Sequence, residues 1–291
     1  MFCVTKAGAR MKIGLIGNGF VGSAIYENLK KTYDFIIYDK KPELSQCESV
    51  RNVVDNCPVI FVALPTPMFE DGRCDLSIIY GAMSEIYEEY NNNIVILKST
   101  VLPGTCEEIR RRHPNMRIVF SPEFLTEASH IDDFKNCNRM IFGGEPQDTA
   151  ECVRLLHNVF NDKYYFTTDC RTAEMVKYFI NNFLSVKVSF ANEVSQICSA
   201  INVDYDSVVK LALYDERIGS SHLQVPGPDG DYGFGGKCFP KDLNAMIQHS
   251  VQSGVEPEML KAAWHKNKEV RQNKDWLNIE GAVTKENKNG K

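Results

Sequence analysis

Seven short apolar runs alternate with helical patterns over the first 168 residues, and this alternation most narrows how the chain can fold. The runs are Lys12–Ile16, Asp34–Tyr38, Val59–Leu64, Ile94–Lys98, Arg117–Phe120, Met140–Phe142 and Tyr164–Phe166. Stretches such as Leu76–Tyr90 and Gln147–Phe160 between them carry helical spacing. Strands alternating with helices build βαβ units and a parallel sheet. The expectation is an α/β protein with a doubly wound parallel sheet, its ligands lying beyond the C-terminal ends of the strands.

The pattern changes near Asp169. From Thr172 to Ile201 there is no Gly or Pro, and apolar residues recur at Met175, Phe179, Phe183, Phe190, Val194, Ile197 and Ile201. That spacing is close to the 3.6 period of a helix, and Thr168 or Asp169 is placed to cap its start. A helix of about 30 residues spans about 45 Å, too long for a small domain to hide, so it is expected to join domains or subunits. The predicted organisation is a sheet domain over 11–168, a mainly α-helical domain with the long central helix over 169–275, and a frayed polar tail over 276–291. Residues 1–10 read as an extension, since Met11 opens the first strand.

Composition bounds the partners. A formal charge of −5 offers no basic face for nucleic acid. No apolar run is long enough to cross a bilayer, and the first ten residues lack a signal-peptide core. Ten cysteines occur, but with no Cys-x-x-Cys pair and no zinc spacing. They read as reduced thiols of a cytoplasmic protein without a metal site.

Gly17-Asn18-Gly19-Phe20-Val21-Gly22 follows the first strand and opens a helix. A Gly-x-Gly-x-x-Gly alone also serves ordinary turns. In this context Gly17 permits a tight turn, Gly19 lets a pyrophosphate reach the backbone, and Gly22 lets helix and strand pack closely, which makes the sheet Rossmann-type. Asp39 ends the second strand, where a carboxylate accepts from an adenosine ribose and repels a 2′-phosphate. NAD is therefore the expected cofactor, although Lys40 and Lys41 follow at once and soften the preference.

Three more segments stand at strand ends: Pro65-Thr66-Pro67, Lys98-Ser99-Thr100, and Ser121 through Glu127 with Glu123, Phe124, Leu125 and Thr126 between. Turn chemistry accounts for them as readily as ligand contact. Lys177 and Asn181 are spaced i, i+4 on the long helix and share a face; a lysine snorkelling to solvent is the plainer reading. Gly233 to Asp242, GFGGKCFPKD, sets Cys238 in a Gly-rich loop, with Asp242 one turn away if a helix starts near the cysteine. A helix N-terminus or a nearby lysine would enrich its thiolate.

Together GNGFVG, PTP, KSTVLPGT, SPEFLTE, AEMVKYFINNFLSVKVSFANE and GFGGKCFPKD resemble the UDP-glucose/GDP-mannose dehydrogenase family, from Met11 to His249. The resemblance implies a four-electron oxidation of a nucleotide sugar's primary alcohol to a carboxylate with two NAD, UDP-glucose to UDP-glucuronate being the first choice. It implies that Cys238 forms a thiohemiacetal and then a thioester. Lys177 and Asn181 match residues that stabilise the oxyanion, and Asp242 one that works with Lys177 and water in proton transfer. Thr100 and Glu123 match residues that order water or base near the reacting carbon. Thr66, Thr100 and Glu127 match cofactor contacts. Glu123, Phe124, Leu125, Lys177, Asn181, Arg217 and Gly235 match the substrate side, Arg217 reaching across a dimer interface in some members. A homodimer through the long helix is expected.

Two departures accompany the resemblance. The loop from Ile218 to Gly233 is longer than the substrate loop of many members. The family's usual third, nucleotide-closing α/β domain has no counterpart in these 291 residues, so the chain reads either as a natural short form or as a partial chain. That leaves a competing expectation of a non-catalytic or partner-dependent nucleotide-binding module, and another of a dehydrogenase for GDP-mannose or a UDP-N-acetyl sugar. The Rossmann domain with a Lys- and Asn-bearing helix also resembles 3-hydroxyacid dehydrogenases, which need no cysteine.

Overall fold

A computed structural model describes residues 10–284. Seven strands form one sheet in the order β2-β1-β3-β4-β5-β6-β7: β1 Lys12–Ile16, β2 Asp34–Tyr38, β3 Val59–Val62, β4 Ile94–Leu97, β5 Arg117–Phe120, β6 Arg139–Gly143 and β7 Tyr164–Thr168. The helices are α1 Phe20–Leu29, α2 Val50–Asn56, α3 Ser77–Glu88, α4 Thr105–Arg112, α5 His130–Asn136, α6 Pro146–His157, α7 Cys170–Ala200, α8 Tyr205–Ala212, α9 Phe239–Gln252 and α10 Glu258–Val270.

The sheet is mostly parallel. β1 to β5 run the same way, but β5 meets β6 antiparallel through the single register pair Phe120 and Gly143, and β7 follows β6 in parallel. The sheet is the expected doubly wound one, with this single antiparallel pairing at the β5–β6 junction. Apolar periodicity reports burial, and a buried strand reads the same in either direction. The central strands are apolar on both sides because both faces are covered. Ile60 and Val62 face one cluster with Val53, Ile79 and Ile109. Val59 and Phe61 face the other with Ile25, Leu29 and Leu156. The chain leaves β1 to one side for β2 and returns to the other for β3, which makes the C-terminal edge of β1 the switch point where such sheets bind ligands.

The chain divides into two compact units. One runs up to Thr66 and resumes over Leu76–Lys177; the other is Pro67–Asp75 with Tyr178 onward. α7 is continuous through the division and is 31 residues long. Its start is fixed by Asp169, whose carboxylate accepts from the Thr172 N–H at 2.8 Å and the Thr172 hydroxyl at 2.7 Å. Glu174 on its second turn is fully buried and caps α4, accepting from the Gly104 and Cys106 N–H groups at 2.6 and 2.9 Å. No helix among the described residues is long and apolar enough to cross a membrane.

In the second unit Phe234, Leu243, Ile247 and Ala263 form a small core beneath α9 and α10. The tail expected to fray is instead packed as far as Thr284. Trp276 is buried and its ring lies 5.4 Å from that of Trp264. The Met68 N–H donates to Ala282 O at 2.9 Å, and the Thr284 N–H to Met68 O at 2.8 Å. Burying one tryptophan supplies the apolar area that the polar composition hid. The remainder of the tail, and residues 1–9, lie outside the described residues.

Candidate active site

The first unit carries the expected dinucleotide residues around the end of β1. Gly17 has φ +91°, and its N–H donates to Tyr38 O at 2.9 Å, closing the turn against β2. A side chain there would meet Ala63 O, so glycine is required twice over. Gly19 is the N-cap residue of α1, no side chain caps that helix end, and nothing lies within 4 Å of where its Cβ would be. Phe20 and Val21 open α1, and Gly22 packs directly on Gly17. Asp39 sits just beyond β2. Its carboxylate accepts from the Asn18 N–H at 2.6 Å and the Lys41 N–H at 2.8 Å. Asn18 also donates its side-chain amide to Leu44 O at 3.0 Å, while its Oδ1 is buried without a hydrogen-bond partner. An open, uncapped helix start with a partial positive charge, beside an orphaned acceptor and a fixed carboxylate, is chemically suited to a dinucleotide pyrophosphate and ribose.

At the ends of β4 and β5 lies a buried polar group that strand patterning had concealed. Lys98 Nζ donates to Ser121 Oγ at 3.0 Å and lies 3.0 Å from Glu123 Oε2. The latter is an ion pair by distance without hydrogen-bond alignment, since Oε2 is a buried oxygen with no donor of its own. Glu123 Oε1 accepts from the Phe124 N–H at 3.2 Å. Lys177, buried rather than snorkelling, donates its ammonium to the Glu123 carbonyl, and its Nζ stands 5.3 Å from the centre of the Phe124 ring. Lys177, Glu123 and Phe124 are thus brought together, with Leu125 packed on the neighbouring core. Thr66 is buried in the segment after β3, Thr100 is half-buried after β4, and Ser99 Oγ accepts from the Leu64 N–H at 2.8 Å. The side chain of Glu127 lies outside the described residues.

The second unit carries the cysteine and its neighbours. Cys238 is the N-cap of α9, and the Asp242 N–H donates back to its carbonyl at 2.9 Å, so the two residues are one turn apart. Asp242 is almost wholly buried and both its oxygens are engaged: Asn181 Nδ2 at 2.5 Å from Oδ2, and Lys241 Nζ at 2.5 Å from Oδ1. Burial works against the charge on Lys241, but the Asp242 carboxylate outweighs it and holds the ammonium above its usual range, with the Cys74 and Cys238 sulfurs adding to the pull. Cys74 stands in the same field. Burial pushes its thiol up to about 11, with Lys241 opposing.

The Gly-rich loop before Cys238 is held by side chains from distant segments. The Gly233 N–H donates to Asn192 Oδ1 at 3.0 Å and the Phe234 N–H to Asn267 Oδ1 at 2.7 Å. The Gly236 N–H donates to the Asp275 carboxylate at 3.0 and 3.1 Å. Gly235 is flat against Arg271 and Asp275, which fill the place of a side chain. Arg217 is 89% exposed and its guanidinium is paired with Asp215 two residues away, apart from the other named residues of its unit. Lys98 and Lys241 lie within sequence motifs that assign them no role, and Asn192, Asn267 and Asp275 carry no local signal at all. No cluster of metal-binding side chains occurs among the described residues.

Residues 27–161 match the NAD binding domain of the UDP-glucose/GDP-mannose dehydrogenase family, and residues 171–269 match its central domain. A UDP-glucose 6-dehydrogenase of Rickettsia conorii is 32% identical over 75% of this chain and 50% of its own length. One from Pseudomonas aeruginosa is 35% identical over 72% of this chain and 48% of its own. The chain therefore spans about half the length of these relatives. A UDP-glucose dehydrogenase structure from Pyrobaculum islandicum superposes with a TM-score of 0.81 at 26% identity, covering 91% of this chain and 70% of that one. The chain belongs to the UDP-glucose/GDP-mannose dehydrogenase family.

Proposed function

We propose that this chain catalyses the NAD-dependent oxidation of the primary alcohol of a nucleotide sugar to a carboxylate, UDP-glucose being the first substrate to test, with Cys238 as covalent nucleophile. The observation that carries the reading is the arrangement at the start of α9. A half-buried thiol sits at the helix N-terminus, one turn from a carboxylate clamped by Asn181 and Lys241. A helix N-terminus favours an anion, and the Lys241 ammonium lies within electrostatic reach of the Cys238 sulfur.

Gly17 to Gly22 with Asp39 would hold the dinucleotide, Asp39 favouring a ribose over its 2′-phosphate, and Thr66, Thr100 and Glu127 are assigned to the same side. Bound NAD supplies a two-electron oxidant, used twice per turnover. Cys238 adds through sulfur to the aldehyde carbon, and the carbonyl electrons move onto oxygen. Lys177 and Asn181, one turn apart on α7, are assigned to that oxyanion, where preformed donors act without reorganising. After the second oxidation the thioester carbonyl accepts water and the sulfur leaves as thiolate. Asp242 and Glu123 are assigned to the water's proton, with Thr100 ordering the water. Phe124, Leu125, Arg217 and Gly235 complete the substrate assignment.

The chain is proposed to act as a homodimer. Phe179, Phe183, Phe190 and Ile197 on α7, with Ile201 just past its end, leave an exposed apolar stripe, each at least half exposed, and large exposed apolar patches mark interfaces.

Incubation with NAD and a panel of UDP-glucose, GDP-mannose and UDP-N-acetyl sugars tests the proposal. Two NADH per sugar are expected from one member, and Cys238→Ala should prevent carboxylate formation. NAD binding with no NADH from any sugar, in folded protein, would leave a nucleotide-binding module. One NADH per sugar, unaffected by Cys238→Ala, would make it a simple alcohol dehydrogenase.

A further inference from the structure

Lys98 has no role in the chemistry assigned above, yet it occupies an expensive position. It continues a strand whose four residues, Ile94 to Leu97, are all buried and apolar, and its own side chain is 7% exposed. Burying an ammonium and a carboxylate together seldom stabilises a fold more than apolar side chains of the same size would. The pair is also at the functional edge of the sheet. The Lys98 N–H still takes part in the ladder, donating to Val62 O at 2.8 Å, and Ser121 and Glu123 follow directly on β5.

The geometry suits a group that must hold a carboxylate still. Lys98 neutralises Glu123 at 3.0 Å but does not occupy Oε2 with an aligned hydrogen bond. The ammonium is itself anchored by Ser121 Oγ at 3.0 Å and lies 6.0 Å from the Phe134 ring centre. Lys177 holds the carbonyl of the same glutamate. Glu123 is therefore tied at its backbone by one lysine and at its carboxylate by another.

We infer that Lys98 is a positioning residue: its ammonium fixes the Glu123 carboxylate in one orientation. The inference rests on the proposed function for its consequence in turnover, and on the structure alone for the pairing.

A double-mutant cycle of Lys98→Met and Glu123→Gln tests it, read in turnover and in thermal unfolding. Lys98→Met should lower kcat by about 10- to 100-fold, as small displacements of a catalytic group do, with the KM for NAD within about twofold of wild type. Lys98→Arg should restore most of the loss. In the Glu123→Gln background Lys98→Met should cost nothing further, because there is no carboxylate left to hold. The thermal cycle needs no activity. Lys98→Met should lower Tm by more than about 5 °C in the wild-type background, where it strands a buried charge, and by far less beside Glu123→Gln. If Lys98→Met alone does not fold, recovery of folding in the double variant is the same coupling, and its absence the same refutation. Additive penalties in the cycles overturn the inference, as does a folded Lys98→Met enzyme turning over at the wild-type rate. An inert wild-type protein that still shows thermal coupling would overturn the proposed function and leave the pairing standing.

Discussion

Gly19 and Gly22 stand three residues apart at the start of one helix, and the structure gives them opposite sensitivities. A methyl carbon built on Gly22 would lie 2.1 Å from Gly17 O and 3.0 Å from the Gly17 carbonyl carbon. Restoring ordinary contact requires α1 to move from the turn by about 1 Å, against Ala24, Ile25 and Leu29, which are fully buried. Overpacking of this kind costs about 1–3 kcal/mol. At about 2–4 °C per kcal/mol for a unit of this size, Gly22→Ala should lower Tm by about 2–12 °C. Gly19→Ala meets nothing within 4 Å, and Gly19 already has φ −72°, which any residue adopts. Its Tm should stay within about 2 °C of wild type, the small cost of alanine at an N-cap. The same empty space is where a pyrophosphate would approach the first amides of α1. Gly19→Ala should therefore weaken NAD binding by at least about tenfold, or about 1.4 kcal/mol. Differential scanning calorimetry and isothermal titration with NAD read the two effects separately. A Gly19→Ala protein that binds NAD as wild type does would refute the cofactor placement. A Gly22→Ala protein with unchanged Tm would refute the packing account.

Other consequences can be measured directly. Burial pushes the thiols of Cys57 and Cys74 up to about 12 and 11, and raises those of Cys106 and Cys152 as well. Brief iodoacetamide treatment at pH 8, mapped by mass spectrometry, should therefore mark Cys238 while sparing these four; Cys74 labelled ahead of Cys238 would contradict the account. Burial also raises the Glu174 carboxyl above its usual value of 4.5, against the two backbone N–H groups that lower it. A folded-state value above the unfolded one contributes stability that is complete below pH 4.5 and lost as pH rises through the raised value. Glu174→Gln should remove that part of the slope from urea unfolding measured across this window; an identical slope in both proteins would exclude Glu174 as its source. Phe183→Glu, in the middle of the exposed stripe of α7, should convert a dimer to monomer in sedimentation equilibrium without lowering Tm by more than a few degrees, and a monomeric wild type would dispose of the dimer.

What could be read in advance follows from which forces are local. Both faces of the sheet are buried, so each strand shows as an apolar run, and all seven lie within two residues of their observed bounds. α7 is legible because it lacks Gly and Pro for thirty residues and has an aspartate at its start. The direction of β6 is not, because burial has no polarity along the chain. Lys98 and Lys241 show the same limit at the site. A lysine in a sequence carries a prior of solvent exposure, and only a carboxylate fixed against it reverses that prior. For Lys241 the carboxylate is the next residue, so a reader could have paired them, but nothing local says the pair is buried. For Lys98 the carboxylate is 25 positions away and arrives only because β4 and β5 are neighbours in register, Leu97 beside Phe120. Motifs thus locate the groups that change during a reaction, whose spacing is set by one loop or one helix turn. The groups that hold those in place are set by topology, and Asn192, Asn267 and Asp275 around the Cys238 loop are of the same kind. Substitutions at such holding residues should disturb the chemistry while leaving every motif intact, and for that reason the cycle at Lys98 and Glu123 separates a site that is merely present from one that is held.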